Sequence, residues 1–213
     1  MAFITRSSKR LCTEVLHLLL CLAVALLWPT HSAGAQAAGE VTQMSLERTE
    51  QGVFLTANLS FELSAPVQDA LLRGVAMHFV AEAQVQRDRW YWADKKVASA
   101  YRQYRLAYQP LTRRWRLSIS AQGAADQAGA STSTALAQSY DSLNEALGAM
   151  QRISGWRIAN PEEIEPGARH TVTLRFRLDT AQLPRPLLIG FVGQGDWSID
   201  IAHTMRLATE ASP

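Results

Sequence analysis

The sequence predicts a mainly β fold, an antiparallel β-sandwich of immunoglobulin-like style that carries two short helices. Apolar and polar residues alternate with a period of two along most of the chain beyond residue 35, which is typical of half-buried strands. Turn signals rich in Gly, Pro, Asn and Asp separate about seven or eight such segments. Because a sheet with one apolar face has to bury that face against a second layer, the pattern favours a sandwich or a barrel, and we expect the sandwich.

The first 35 residues have the pattern of a secretory signal peptide rather than of a domain. A basic segment over residues 6–10 precedes the apolar run Leu18–Leu27, which is shorter than the ~20 residues that span a bilayer. Ala33–Ala35 then offers the small-x-small site that a signal peptidase requires. We therefore predict cleavage after Ala35, export to the periplasm and a single domain over residues 36–213. An uncleaved N-terminal anchor is the alternative.

Composition narrows the chemistry of the mature chain. Both cysteines, Cys12 and Cys21, lie in the predicted signal peptide, so neither a disulfide nor a cysteine metal site is expected after cleavage. Three of the 21 Lys+Arg and one of the 19 Asp+Glu lie there too, which leaves 18 of each sign. A net charge of zero argues against nucleic-acid binding, and the lack of another long apolar run predicts a soluble protein.

The first half of the mature chain predicts a hairpin, a helix and a long strand. Gln51 and Gly52 supply the hairpin turn, and Ser64 and Gly74 have the residue types of helix caps. The predicted ranges are Val41–Thr49 and Val53–Phe61 for the hairpin, Pro66–Arg73 for the helix and Val75–Val85 for the strand.

The second half predicts a further hairpin, a mobile loop, a helix and three strands. The segment 121–134 is rich in Ala, Gly, Ser and Gln and is predicted to be the mobile loop. The other predicted ranges are Val97–Tyr108 and Arg114–Ser120 for the hairpin, Leu143–Ile153 for the helix, ended by Gly155, and His170–Leu178, Leu187–Val192 and Trp197–Met205 for the strands.

One segment, Arg87–Arg116, concentrates positive charge among aromatic side chains. It holds nine basic and two acidic residues, a net charge of +7 that the rest of the mature chain balances. Arginine beside aromatic residues is typical of interaction hot spots and of anion binding. The candidate binding residues are Arg89, Trp90, Trp92, Arg102, Tyr104, Arg105, Arg114 and Arg116. The structural alternative is that the tryptophans fill the core and that the arginines pair with acids elsewhere.

Other constellations give weaker signals. His78, His170 and His203 fall on separate strand candidates, without a spacing that would bring them together on a metal, so we expect no metal site. The chain holds no Gly-x-Ser-x-Gly nucleophile motif, and we assign no catalytic residue. No cofactor is expected.

Several motifs resemble those of an uncharacterised family of exported proteobacterial proteins that carry a domain of unknown function, sometimes named proline-rich signal-peptide proteins. The shared motifs are Gly74–Phe79, Arg89–Ala98, Tyr104–Tyr108, Leu111–Arg113, Leu178–Asp179, Leu183–Pro184 and Asp196–Trp197. The resemblance spans about Val41–Arg206 and implies an envelope location. Members of that family are often encoded beside a membrane sensor kinase, which implies a membrane-protein partner. The resemblance to this family assigns no catalytic or binding residue to the chain.

These observations predict an exported periplasmic protein that acts as a non-catalytic binding or accessory module for an envelope or membrane-signalling partner. The partner is expected to be the periplasmic domain of a membrane protein or an anionic envelope component. The alternative is a hydrolase acting on cell-envelope material, which requires a cleft with converging titratable groups. A purely structural role is the third hypothesis.

Overall fold

The computed structural model of the protein describes residues 39–89, 94–122, 136–183 and 197–208. Within these ranges the chain forms nine β-strands in two antiparallel sheets, together with two α-helices and two short 3-10 helices. The predicted fold class, mainly β with two antiparallel sheets and two helices, is confirmed. In this described part of the chain, no helix has the length and apolar character that crossing a membrane takes.

The strands and helices have the following bounds. The strands are β1 (Gly39–Thr49), β2 (Gly52–Phe61), β3 (Met77–Arg87), β4 (Lys95–Gln109), β5 (Arg114–Gln122), β6 (Leu136–Tyr140), β7 (Arg152–Ala159), β8 (His170–Leu178) and β9 (Asp200–Leu207). The α-helices are α1 (Ala65–Leu72) and α2 (Leu143–Met150), and the 3-10 helices are Pro161–Glu163 and Thr180–Gln182. Sheet A has the strand order β1-β2-β7, and sheet B has the order β6-β5-β4-β3-β8-β9.

An aromatic cluster joins the two sheets. Phe61 comes from sheet A, whereas Phe79, Tyr104 and Phe176 come from three neighbouring strands of sheet B. The ring of Phe176 stacks on Phe61 at 5.1 Å and on Phe79 at 5.7 Å between centroids, and it meets Tyr104 edge-on at 5.9 Å. All four side chains are buried, so this cluster forms the centre of the sandwich.

Helix α2 lies among strands of both sheets. The Ser142 hydroxyl accepts a hydrogen bond from the backbone N–H of Glu145 at 3.2 Å, and the Glu145 carboxylate accepts one from Asp141 N–H at 3.3 Å. This reciprocal capping begins the helix where the sequence predicts it. Its buried residues Ala146 and Met150 join the core, and the helix contacts β5, β6 and β7.

The structure corrects the end of this helix. The predicted helix over Leu143–Ile153 ends at Met150 instead, and the strand β7, which was not predicted, begins at Arg152. Gly155 has a φ of 51° and lies in an irregularity of the β2–β7 register. Because of this bulge, Ile153 and Trp156 are both buried although they are three residues apart in sequence. A spacing of three is typical of a helix, so the sequence does not show the alternation of a strand.

Strand β6 was not predicted either, because four of its five residues are exposed and its sequence shows no alternation of apolar and polar residues. It is held by pairing with β5, from Trp115 opposite Tyr140 to Ile119 opposite Leu136. Residues 121 and 122, which were predicted to begin the mobile loop, belong to β5 instead. The rest of the segment predicted as a loop, and the strand predicted over Leu187–Val192, lie outside the described residues.

Candidate functional site

Sheet B has two chemically different faces, which the strand register defines. Alternate residues of β3 are fully buried and point toward sheet A, and we call this side the inner face. These residues are Met77, Phe79, Ala81, Ala83 and Val85. The intervening residues occupy the opposite side, which we call the outer face. They are His78, Val80, Glu82, Gln84 and Gln86. Residues opposite each other in the register share a face across all six strands.

The described helices and sheet A pack on the inner side. Leu71 of α1 and Met150 of α2 belong to the same buried cluster as the inner-face residues of β3. The few buried residues of the outer face, Val80, Ser99 and Ala107, lie outside that cluster. Among the described elements none packs on the outer face, where Arg105, Arg116 and Arg206 are exposed.

Arginine dominates the charge of the outer face. The register places six arginines there, on four of the six strands, against two acidic strand residues. The arginines are Arg105 of β4, Arg114 and Arg116 of β5, Arg175 and Arg177 of β8 and Arg206 of β9. The acidic residues are Glu82 of β3 and Asp200 of β9. The face is therefore strongly basic in a chain whose formal net charge is only +2.

Two of these arginines are neutralised by carboxylates. The Nε of Arg175 donates to Asp200 Oδ1 at 2.8 Å, and a second contact joins its Nη2 to Asp200 Oδ2. Arg114 Nη2 lies 2.8 Å from Asp141 Oδ1. The hydrogen bond from Arg175 lowers the pKa of the Asp200 carboxyl, which keeps Asp200 ionised. Both pairs are exposed, so each is weak and open to exchange with another anion.

Other arginines keep an uncompensated charge. Arg105, Arg116 and Arg206 form no ion pair with any residue that the structure describes. The Glu82 carboxylate is occupied by neutral donors, since it accepts hydrogen bonds from Tyr101 OH at 3.0 Å and from Gln84 Nε2 at 2.6 Å. The outer face thus presents guanidinium groups without acidic partners beside acids that are already engaged.

The β4–β5 ladder brings two of these free arginines around one small residue. Arg116 lies directly opposite Ala107, and Arg105 lies two residues before Ala107 on the same face. Diagonal neighbours of this kind are about 7–8 Å apart. Both arginine side chains are exposed, whereas Ala107 between them is 9% exposed. Guanidinium groups on diagonal neighbours suit recognition of one phosphate-sized anion.

His78 is next to this pair on β3, directly opposite Arg105. Burial, and then the charge of Arg105, lower the pKa of His78, while Asp179 acts in the opposite direction. The imidazole is therefore neutral near pH 7 and adds no charge to the outer face. It offers one hydrogen-bond donor or acceptor beside the arginines.

The structure distributes the predicted binding residues over different places. Arg105, Arg114 and Arg116 share the outer face. Arg102 and Tyr104 lie on the inner face. Arg89 follows the end of β3, where its backbone N–H donates to Asp94 Oδ1 at 3.2 Å. The remaining two, Trp90 and Trp92, lie outside the described residues. The predicted set is thus brought together only in part.

Of the two inner-face residues, Tyr104 belongs to the buried core and Arg102 is half-buried beside it. The Arg102 guanidinium stacks over the ring of Trp156 in β7, with 5.0 Å between Cζ and the ring centroid. Tyr104 is 1% exposed, and burial raises the pKa of its hydroxyl while the neighbouring Arg102 opposes that shift. Arg102 Nε and Tyr104 OH are buried without a hydrogen-bond partner among the described residues.

Replacing Arg102 with methionine is expected to maintain the free energy of unfolding or raise it by about 1 kcal/mol. A buried donor without a partner costs ~1–3 kcal/mol, and methionine retains contact with the Trp156 ring. Urea unfolding measures the effect, with Arg102→Ala as the control that loses the packing and is expected to be destabilised. A loss of more than 1 kcal/mol in Arg102→Met would show instead that the guanidinium itself stabilises the core.

A family model described as a domain of unknown function, DUF4390, matches residues 36–206. The chain belongs to the DUF4390 family. No curated protein and no solved structure matches it. The matched range contains every strand of sheet B except the last residue of β9, so the sheet and both of its faces belong to the DUF4390 domain. The predicted domain of unknown function is confirmed, while membership of the proline-rich signal-peptide group stays a prediction.

Sequence reasoning missed three arginines of the outer face, Arg175, Arg177 and Arg206. They lie about 60 residues or more beyond the Arg87–Arg116 segment in the DUF4390 chain. A signal was present, because Arg175 and Arg177 alternate with the apolar residues of β8 and so had to share a polar face. What the sequence did not provide was the pairing of β8 with β3, which places that face beside Arg105.

The three histidines of the DUF4390 domain do not converge. His78 lies on β3 and the exposed His203 on β9, whereas His170 is buried at the start of β8. Burial lowers the pKa of His170 most, and its Nδ1 contacts the backbone oxygen of Ala168 at 3.0 Å. No group of three His, Cys, Asp or Glu side chains within the described ranges could hold a metal ion.

A concave region lies beside α2. This groove of about 660 Å³ runs between β2 and the helix. Its lining residues are Asn58, Leu59, Tyr140, Glu145, Gly148, Gln151 and Arg152. Several of its polar groups are already engaged, since Asn58 Nδ2 donates to Gln43 and Gln151 Nε2 donates to the Phe61 carbonyl. The outer face of sheet B therefore remains the better candidate site.

Proposed function

We propose that this DUF4390 protein is an exported, non-catalytic binding module that docks a phosphate-bearing anionic component of the cell envelope on the outer face of sheet B. The observation that carries the proposal is the set of arginines on that face, of which Arg105 and Arg116 lack an acidic partner in the described residues. The described elements leave these side chains accessible.

The chemistry of arginine favours an oxyanion ligand. A guanidinium group presents several N–H donors in a planar fork that matches phosphate and carboxylate oxygens. Two such groups across Ala107 suit one phosphate group, and Arg177 and Arg206 extend the positive surface along β8 and β9 for a longer polyanion. Arginines spread over four strands of one sheet face suit a binding module better than a hydrolase, which requires titratable groups that converge in a cleft.

Charge reversal tests the binding proposal. The probe is inorganic polyphosphate, titrated calorimetrically into the purified protein at low ionic strength. The double variant Arg105→Glu/Arg116→Glu is expected to bind roughly a hundredfold more weakly, because hydrogen bonds to charged groups contribute ~1.5 kcal/mol each. Added salt is expected to weaken the wild-type affinity as it screens the face.

The matched control for this experiment lies on sheet A. Arg152→Glu/Arg157→Glu changes the net charge equally at two exposed positions of β7 and is expected to bind as the wild type does. If both double variants lost affinity to the same extent, the interaction would follow net charge and the outer face would not be the site. Failure of the wild-type protein to bind would reject the proposal outright.

Two sequence features support export. The signal-peptide pattern ends at Ala35, and the family match begins at residue 36. Protein recovered from the periplasmic fraction is expected to begin at Gln36, as N-terminal sequencing would show. Ala35→Leu is expected to block processing, since signal peptidase requires a small residue there. Recovery of unprocessed wild-type protein in the cytoplasm would contradict export.

A further inference from the structure

The turn between β4 and β5 exposes an apolar side chain in the middle of a basic surface. Leu111 is 101% exposed, as free of contacts as a side chain in an extended peptide. It stands between Gln109, where β4 ends, and Arg114, where β5 begins. An isolated exposed leucine is common on protein surfaces, so its meaning depends on what surrounds it.

Three arginines follow this leucine on the β5 side of the turn. Arg113 and Arg114 follow it within three residues, and Arg116 is two residues farther along β5. At about 3.4 Å per strand residue, Arg116 lies ~7 Å beyond Arg114, within one Debye length at physiological salt. Arg113 adopts a positive φ of 54°, which a residue other than glycine rarely adopts. The tip of the hairpin thus carries an exposed leucine, and three arginines follow within the next five residues.

A second exposed leucine lies near the same end of sheet B. Leu72, the last residue of α1, is 52% exposed and is followed by Arg73. The chain then enters β3 at Met77, opposite Leu106 and three residues before β4 ends. The combination of leucine with adjacent arginine thus occurs twice in the chain segments that border this end of the sheet.

We propose that the β4–β5 hairpin tip inserts Leu111 into an anionic phospholipid surface while the arginines behind it contact lipid phosphates. This inference rests on the proposed function and names the anionic component as a membrane. A soluble polyanion accounts for the arginines but offers nothing to an exposed leucine. A lipid surface satisfies both, because negative headgroups lie directly above an apolar layer.

Vesicle partitioning tests this inference. The protein is expressed from its full coding sequence, purified, and sedimented with vesicles of equal parts phosphatidylglycerol and phosphatidylethanolamine or of phosphatidylcholine alone. We expect binding to the anionic vesicles only. Leu111→Gln is expected to lower the partition coefficient about tenfold, and Leu111→Trp to raise it, in line with the apolar transfer energies of these side chains. Arg113→Gln/Arg114→Gln is expected to lower it about fivefold for each charge.

The control is Leu136→Gln, which removes a leucine that is 64% exposed. Leu136 lies opposite Ile119, at the end of β6 that is farther from the β4–β5 turn, and its replacement is expected to leave partitioning unchanged. Equal partitioning of Leu111→Gln and wild type would overturn the inference, as would equal binding to neutral and anionic vesicles. Leu111→Gln is also expected to retain polyphosphate affinity. Polyphosphate binding without vesicle binding would overturn membrane docking and leave the proposed function standing, whereas loss of both in the wild type would reject the two together.

Discussion

Replacing Phe176 with alanine is expected to lower the free energy of unfolding by about 4 kcal/mol. Phe176 is 0% exposed and contacts Phe61 of sheet A and Phe79 and Tyr104 of sheet B. Its truncation removes apolar burial, opens a cavity and abolishes three aromatic contacts at once. Urea unfolding followed by tryptophan fluorescence measures the loss.

Two further variants show whether the loss comes from the buried volume of the Phe176 ring. Phe176→Leu retains most of the volume and is expected to cost ~1–2 kcal/mol. Leu136→Ala removes an exposed side chain and is expected to change the free energy of unfolding by less than about 0.5 kcal/mol. A loss below 1 kcal/mol in Phe176→Ala would contradict a sandwich whose sheets meet at this cluster.

Replacing Gly52 with alanine is expected to lower the free energy of unfolding by about 3 kcal/mol. Gly52 has a φ of 128°, and a Cβ atom built there would lie 2.2 Å from the backbone oxygen of Ala159 in β7. The substitution therefore combines backbone strain of ~1–3 kcal/mol with a clash against the backbone of the buried residue Ala159. Thermal or urea unfolding of the variant measures the sum.

Gly74 is the matched control for this effect. Its φ of 86° is also positive, but no atom lies within 4 Å of a Cβ built on it. Gly74→Ala therefore reports backbone strain alone and is expected to cost ~1 kcal/mol. Equal losses in the two variants would mean that β7 does not approach the β1–β2 turn as closely as the structure places it.

The Gly52 result depends on β7, a strand that the sequence pattern did not predict. Its bulge at Gly155 allows Ile153 and Trp156 to be buried together at a spacing that is typical of a helix. The strand also follows α2 directly, without a turn signal such as proline between them. Local pattern therefore favoured a longer helix. Pairing of Leu55 with Trp156 resolves the ambiguity in favour of a strand, because β2 needs a partner on its second edge and only a tertiary contact supplies one.

The candidate site shows the same division between local and tertiary information. The period-two pattern placed Trp115 and Leu117 on one face of β5 and Arg114 and Arg116 on the other, and the structure agrees. For β4 the polar character of Arg102 suggested a surface position, yet its register opposite Ala81 assigns it to the inner face. A stacking contact with Trp156, 54 residues away in sequence, makes that position tolerable for a cation.

By itself the sequence determined the β-rich fold class, most strand positions and the concentration of arginine between Arg87 and Arg116, because side-chain alternation and turn residues act over short distances. Only the tertiary structure decided which arginines lie on the same face of the sheet. Pairing of β3 with both β4 and β8 joins Arg105 and Arg116 to Arg177 on one open face, and it turns Arg102 inward. Strand order and register arise from nonlocal hydrogen bonding and core packing, and a one-residue change of register would exchange the two faces.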